Sequence, residues 1–341
     1  MLHTLLFNRS DRARFQFSGA QITATLNGLV TNDVALLTPG QGQFAGILTP
    51  KSKILADVRI FMGPSGIAPD GYLMDTSPAT AGSVRDFLKK YLNPRFAKHT
   101  DITDTTCQLG IFGDGAHDIV AKAASIDSDA LSTLAPYGHT NGVIQGVSVV
   151  IVRTPELDVE GYDIIAPKEH ESTLIDLLTA SGATLADATQ WKAMRTAIGW
   201  PEWGVDMDDS TLPQEANFDE LHALSHSKGC YIGHETIARI HFRGHVNKKL
   251  RRLKFSGPDL PPRGAELTDG AGKSVGTVTS TTVIRDEMRT LSAASALPTA
   301  GTLAGIGMIR RETEDGTTLT VSWDGTTTTA TVLGIAKGAV D

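Results

Sequence analysis

The chain is short of the residues that would announce a simple function. Among its 341 residues only two are cysteines, Cys107 and Cys230. Two thiols cannot build a disulfide framework, and they point to a reducing compartment. Nor can they supply the four thiolates of an ordinary iron–sulfur cluster, which excludes a conventional permanent cluster carrier. No apolar run approaches the roughly 20 residues of a membrane helix. The opening MLHTLLFNRSDRARF has too short an apolar stretch for a secretory signal. Positive charge is not in excess: 31 Lys and Arg stand against 38 Asp and Glu, a net charge of −7. Polyanion binding is therefore expected only locally. No internal repeat and no low-complexity tail is visible.

What is present is ordinary for a globular protein, with 40% hydrophobic and 20% charged residues. The length suits two or three domains. Strand-like segments (FQFSGAQIT, GQFAGILT, KILADVRIF, Cys107–Phe112, Gly146–Arg153, Tyr162–Ala166) interleave with helix-like ones up to about residue 240. Helices are predicted at Ala79–Leu92, His117–Ala124, Glu169–Ser181 and Ala188–Ile198, the last ended by Gly199 and Pro201. After residue 246 helical patterns nearly vanish. Five strand candidates follow at short spacing: Leu250–Phe255, Val275–Thr282, Leu303–Ile309, Leu319–Trp323 and Thr328–Leu333. The expectation is an α+β body over residues 1–245, built as two interleaved subdomains, and an all-β barrel over 246–341.

The most informative stretch is KGCYIGHETIARIHFR, residues 228–243. Cys230 lies between glycines that permit close approach of a partner. A thiol beside Lys228 at the start of a helix is expected to hold more thiolate. The competing reading is a buried, inert cysteine. His222, His226, Cys230 and His234 fall four residues apart, and His241 and His245 repeat the step. On one helix they would share a face, but Gly229 interrupts it and the spacing matches no established metal motif, so no metal is expected. Asp269–Ser274 ends like a phosphate loop, yet it lacks the first glycine and a following helix, so a hairpin turn is predicted. Arg239, Arg243, Lys248, Lys249, Arg251 and Arg252 form a basic run able to hold a polyanionic tail. Residues 195–217 have no periodicity but carry two tryptophans and two prolines, and read as a packed wall of a cavity shared with Cys230.

KGCYIGHE closely resembles the K-G-C-Y/F-x-G-Q-E motif of the YgfZ-type folate-binding proteins and their mitochondrial iron–sulfur assembly relatives. Lys228, Gly229, Cys230, Tyr231, Gly233 and Glu235 match, and His234 replaces the glutamine. GLVTNDV (28–34), GQFAGILTPKSKILADVRIF, the 195–217 loop and VGTVTST resemble further segments of the superfamily, which includes the glycine-cleavage T-protein, an aminomethyltransferase. The resemblance implies a three-domain cloverleaf around a central channel that binds tetrahydrofolate. It implies a role in maturing or maintaining [4Fe–4S] proteins, with Cys230 and Lys228 as the reactive pair at the mouth of that channel and transient iron or cluster contact through the sulfur. Asp57 matches the T-protein's Asp-Asp pair, whose first member is here Ala56, so aminomethyl transfer is demoted to an alternative. Arg153 and Glu160, in a stretch with Asp163, resemble a folate-contacting strand. Tyr231, Glu235 and Arg239 complete the expected folate site. Partners implied are folate and iron–sulfur client or scaffold proteins. A tRNA-modification accessory role is the remaining alternative, though the acidic balance argues against tRNA contact. Bacterial cytoplasm is the expected compartment, with the mitochondrial matrix as alternative.

Overall fold

A computed structural model describes residues 4–289 and 299–335. The chain begins with β1 (Leu5–Asn8) and at once leaves it for β2 (Ala13–Ser18), α1 (Ile22–Asn27), β3 (Gly42–Leu48), β4 (Ile54–Met62), β5 (Tyr72–Thr76), α2 (Ala81–Tyr91) and β6 (Lys98–Asp101). β2 to β6 form one sheet in the order β3-β4-β5-β2-β6. The chain then returns through β7 (Thr106–Phe112), α3 (Ala116–Ala124), α4 (Ser128–Ser132), β8 (His139–Ile144), β9 (Val147–Arg153), β10 (Gly161–Pro167), α5 (Glu171–Ala180) and β11 (Thr184–Ala186). These strands join β1 in a second sheet, β11-β1-β7-β10-β9-β8. Only the β1–β11 pair in it is parallel. α6 (Ala188–Ile198) and α7 (His234–Arg243) follow, and then β12 (Lys248–Phe255), β13 (Glu266–Thr268), β14 (Ser274–Val283), α8 (Asp286–Arg289), β15 (Leu303–Arg310), β16 (Thr318–Trp323) and β17 (Thr326–Ile335). The six late strands close into a barrel, β12-β15-β14-β13-β16-β17.

The architecture is thus α+β with a closed C-terminal barrel. Local chemistry accounts for much of it. α6 starts at a reciprocal cap between Asp187 and Gln190 and stops at Gly199, which takes a left-handed φ of 87°. α2 buries Val84, Phe87 and Leu88 on one face, as its spacing predicts. The Asp269–Ser274 segment is a hairpin turn between β13 and β14, where Asp269 Oδ1 accepts from the Ala271 and Lys273 amides. Two expectations are corrected. FQFSGAQIT is not one strand: β2 stops at Ser18, Gly19 turns at φ 129°, and Ile22 opens α1. The barrel has a sixth strand, β13, whose three residues are too few to show a period.

A buried ionic knot joins the two sheets. Arg59 on β4 bonds Asp75 on β5, and its Nη1 lies 2.7 Å from Asp163 on β10 and 2.9 Å from Glu156. Arg9 Nη1 reaches Asp163 at 3.0 Å, and Arg12 Nη2 reaches Asp75 at 2.9 Å. Burial alone would raise the Asp75 carboxyl, but Arg12 and Arg59 outweigh it and hold it well below the ordinary range. Such charges persist in the interior only because each is paired.

Candidate functional site

A cavity of about 390 Å³ opens against this knot. Its walls come from distant segments: Phe7–Arg9 and Arg12 around the β1–β2 turn, Asp57 on β4, Glu156, then Trp191 and Lys192 on α6 and Trp200–Trp203 beyond it. The volume falls in the range of small-ligand sites. Aromatic and charged walls alternate: Arg9 lies over the Trp191 ring at 4.3 Å. Arg195, also lining the cavity, is pinned by Glu202 at 2.5 Å and Asp206 at 2.6 Å. Trp203 Nε1 donates to the Ile54 carbonyl at 3.3 Å, which fixes the loop against β4. Arg195 and Trp200–Trp203 of the aperiodic segment are therefore a cavity wall, but Cys230 does not line this cavity, and the expectation that the two share one is corrected.

Asp57 is the sharpest group there. Its Oδ1 is buried and has no hydrogen-bond partner among the described residues. Burial, partly offset by Arg12, pushes its carboxyl up to about 6. Neighbouring Ala56 is fully buried in the apolar core of the first sheet. Successive strand residues face opposite sides, so position 56 faces away from the cavity. The expectation that Ala56 removes a channel carboxylate is thereby corrected: an acid at 56 would lie in the core, not opposite a ligand.

The other predicted residues do not line this cavity. Arg153, at the end of β9, donates to the Leu134 carbonyl, and Glu160, just before β10, accepts from Tyr162 Oη at 2.9 Å. Glu235 and Arg239 lie with Phe242 and Arg243 along a shallow groove on α7. The basic run divides between α7 and β12, where Lys249 pairs with Glu220 and Arg251 with Asp315. Conversely, Arg9, Arg12, Glu156, Trp191 and Lys192 were not singled out from sequence. Three tryptophans, Trp191, Trp200 and Trp203, within thirteen residues were the available signal.

Cys230 is free and exposed, whereas Cys107 is buried in β7. The Cys230 segment is held against the connection between α1 and β3. Lys228 Nζ donates to the Val30 carbonyl at 2.9 Å and the Asn32 carbonyl at 2.6 Å, and the Ile232 amide donates to the Gly28 carbonyl. Burial, partly offset by Asp33, lowers the Lys228 ammonium to about 8. Its cation also faces the Tyr231 ring at 5.1 Å. Gly233 has φ 80°, and a Cβ there would lie 2.5 Å from the Thr49 carbonyl oxygen. This glycine is required by both conformation and space. Two expectations change. The helix starts at His234, four residues past Cys230. Lys228 is spent on carbonyls and serves to dock the loop. As the interruption at Gly229 led one to expect, the histidines do not share one helix, because residues 217–233 are irregular.

Comparison with known proteins agrees with this architecture. A solved structure, the glycine cleavage system aminomethyltransferase T from Bartonella henselae, superposes with a TM-score of 0.81 at 18% identity, covering 98% of this chain and 86% of that one. The fold is therefore aminomethyltransferase-like. Curated relatives include an aminomethyltransferase of Nostoc sp., 25% identical over 82% of this chain and 73% of the relative. The tRNA-modifying protein YgfZ of Escherichia coli is 28% identical over 82% of each chain. The mitochondrial iron–sulfur cluster assembly factor IBA57 homolog of Mycosarcoma maydis is 28% identical over 74% of this chain and 57% of its own. The GCVT N-terminal domain model matches residues 3–225. The chain belongs to the GCVT family, as a YgfZ/IBA57-type member of the T-protein superfamily.

Proposed function

We propose that this protein binds a reduced folate in the Asp57 cavity and acts as an accessory factor for assembling or maintaining [4Fe–4S] proteins, presenting Cys230 as its reactive sulfur. The observation that carries the folate reading is the unpartnered, buried Asp57 oxygen in a tryptophan-walled cavity. A pteridine is flat and carries N–H donors on one edge. Asp57 would accept from those donors while Trp191, Trp200 and Trp203 offer apolar walls. Lys192 has no side-chain partner among the described residues and is placed to meet a carboxylate tail. This replaces Arg239 and the basic run in that role. Bound there, a reduced folate would supply a one-carbon carrier, and the chain's part is to orient it and exclude water. The iron–sulfur reading is supported by the exposed Cys230 on its docked loop, and by relatives named for cluster assembly and tRNA modification. Calorimetry with tetrahydrofolate tests the first half: binding is expected, and its absence refutes it. For the second half, Cys230→Ser should fold and bind folate yet fail to sustain an iron–sulfur enzyme in cells depleted of the native protein. Full complementation refutes the role of the sulfur.

One observation favours a second reading, folate-dependent aminomethyl transfer or demethylation: the core location of position 56 leaves the cavity's carboxylate intact. Turnover of an aminomethyl or N-methyl donor with tetrahydrofolate separates the two. Turnover that survives Cys230→Ser and is lost in Asp57→Asn would make the protein an enzyme.

A further inference from the structure

Among the described residues, one cluster of ligating side chains lies outside the Asp57 cavity. Asp219, His226 and His241 bring their ligand atoms within 4.8 Å of one another. His226 Nε2 is 2.6 Å from Asp219 Oδ1, and the His226 and His241 rings stack with centroids 3.6 Å apart and 11° between planes. The three residues come from two places. Asp219 and His226 belong to the irregular segment before Cys230, and His241 to the last turn of α7 after it.

We infer that Asp219, His226 and His241 form a site for a divalent transition-metal ion of the zinc class, with three protein ligands and one position open. Two imidazoles and one carboxylate are the donors such ions take, and three ligands with a free fourth position is an established stoichiometry. Tetrahedral bonds of roughly 2.0–2.2 Å set ligand atoms about 3.3–3.5 Å apart, so closing the site takes a movement of about 1.5 Å at most. The stacked rings must also splay so that their lone pairs converge. His241 is exposed and free to turn, while His226 is half-buried and already aimed at Asp219. The metal would take the place of the proton between His226 and Asp219. It would clamp α7 to the segment upstream of Cys230, fastening both flanks of the cysteine loop at one point. The upstream flank is also held by Lys228 on the Val30 and Asn32 carbonyls. This site is independent of folate binding.

Cobalt(II) is the probe. The chelator-stripped full chain should take up one equivalent with the intense visible absorption of tetrahedral cobalt, and zinc should displace it one for one. Cys230→Ser should leave the spectrum unchanged. His241→Ala and Asp219→Asn should each weaken uptake by at least about tenfold, and metal-free melting of His241→Ala should match the native chain because that ring is exposed. The inference is overturned by weak octahedral absorption alone, by no uptake, by affinity unchanged in His241→Ala, or by a sulfur-to-cobalt charge-transfer band that disappears in Cys230→Ser. These failures leave the folate reading untouched, since tetrahydrofolate calorimetry on stripped protein reads it separately.

Discussion

Replacing Asp57 by asparagine tests the cavity most directly, because one change has two opposed consequences. The carboxyl titrates near 6 in the fold against an ordinary value near 3.8. The folded state therefore holds a proton that the unfolded chain has released between about pH 4 and pH 6, and stability falls as pH rises through that window. Above pH 6 the ionised carboxylate costs the ligand-free protein about 2–3 kcal/mol relative to its protonated form. Asparagine keeps the shape and removes the charge. Denaturant unfolding of the ligand-free variant should show a gain of up to that size at pH 7.5, shrinking as pH falls toward 4. Reduced-folate affinity should move the other way. Losing a hydrogen bond to a charged acceptor costs about 1.5–3 kcal/mol, or roughly 10- to 100-fold in Kd. A variant that is less stable at pH 7.5 with an unchanged pH slope would refute the buried-carboxylate argument. Unchanged folate affinity would refute Asp57 as a ligand contact.

Other outcomes follow from the same structure. A thiol reagent should label one cysteine per native chain, and the label should vanish in Cys230→Ser; Cys107 should react only after unfolding, since burial raises its thiol and shields it. Gly233→Ala should disorder the Cys230 loop, because the added Cβ meets the Thr49 backbone at 2.5 Å; limited proteolysis near residue 230 should speed up while the barrel stays protected. Asp75→Asn leaves Arg59 and Arg12 short of their counter-charge, and thermal unfolding should show a loss of about 3–5 kcal/mol.

The sequence disclosed elements more readily than neighbours. α6 could be drawn to the residue because its cap, its period and its terminating glycine agree. β7 and β10 were legible as apolar runs, since both are buried throughout most of their length. The short strands β1, β6, β11 and β13 were not, because three or four residues carry no period. The cavity was half-visible: its tryptophan wall announced itself by composition. Arg9, Arg12 and Glu156 looked like surface charges until the sheets brought them together. The histidines show the converse. Regular spacing at 222, 226, 230 and 234 suggested a shared face that irregular backbone abolishes, while His226 and His241, fifteen positions apart, end ring upon ring.

The order of strands has a consequence for synthesis. Residues 13–101 contain every strand of the first sheet, so that body is complete as soon as it leaves the ribosome. β1, made earlier, must wait as an orphan edge until β7 emerges a hundred residues later. The first sheet is in effect a passenger inserted into the second, and the host closes around it last. Because Arg59 in the passenger is neutralised partly by Asp163 in the host, a nascent chain stalled before β10 holds an incompletely compensated buried cation. That unfinished stage is where a chaperone would find its grip.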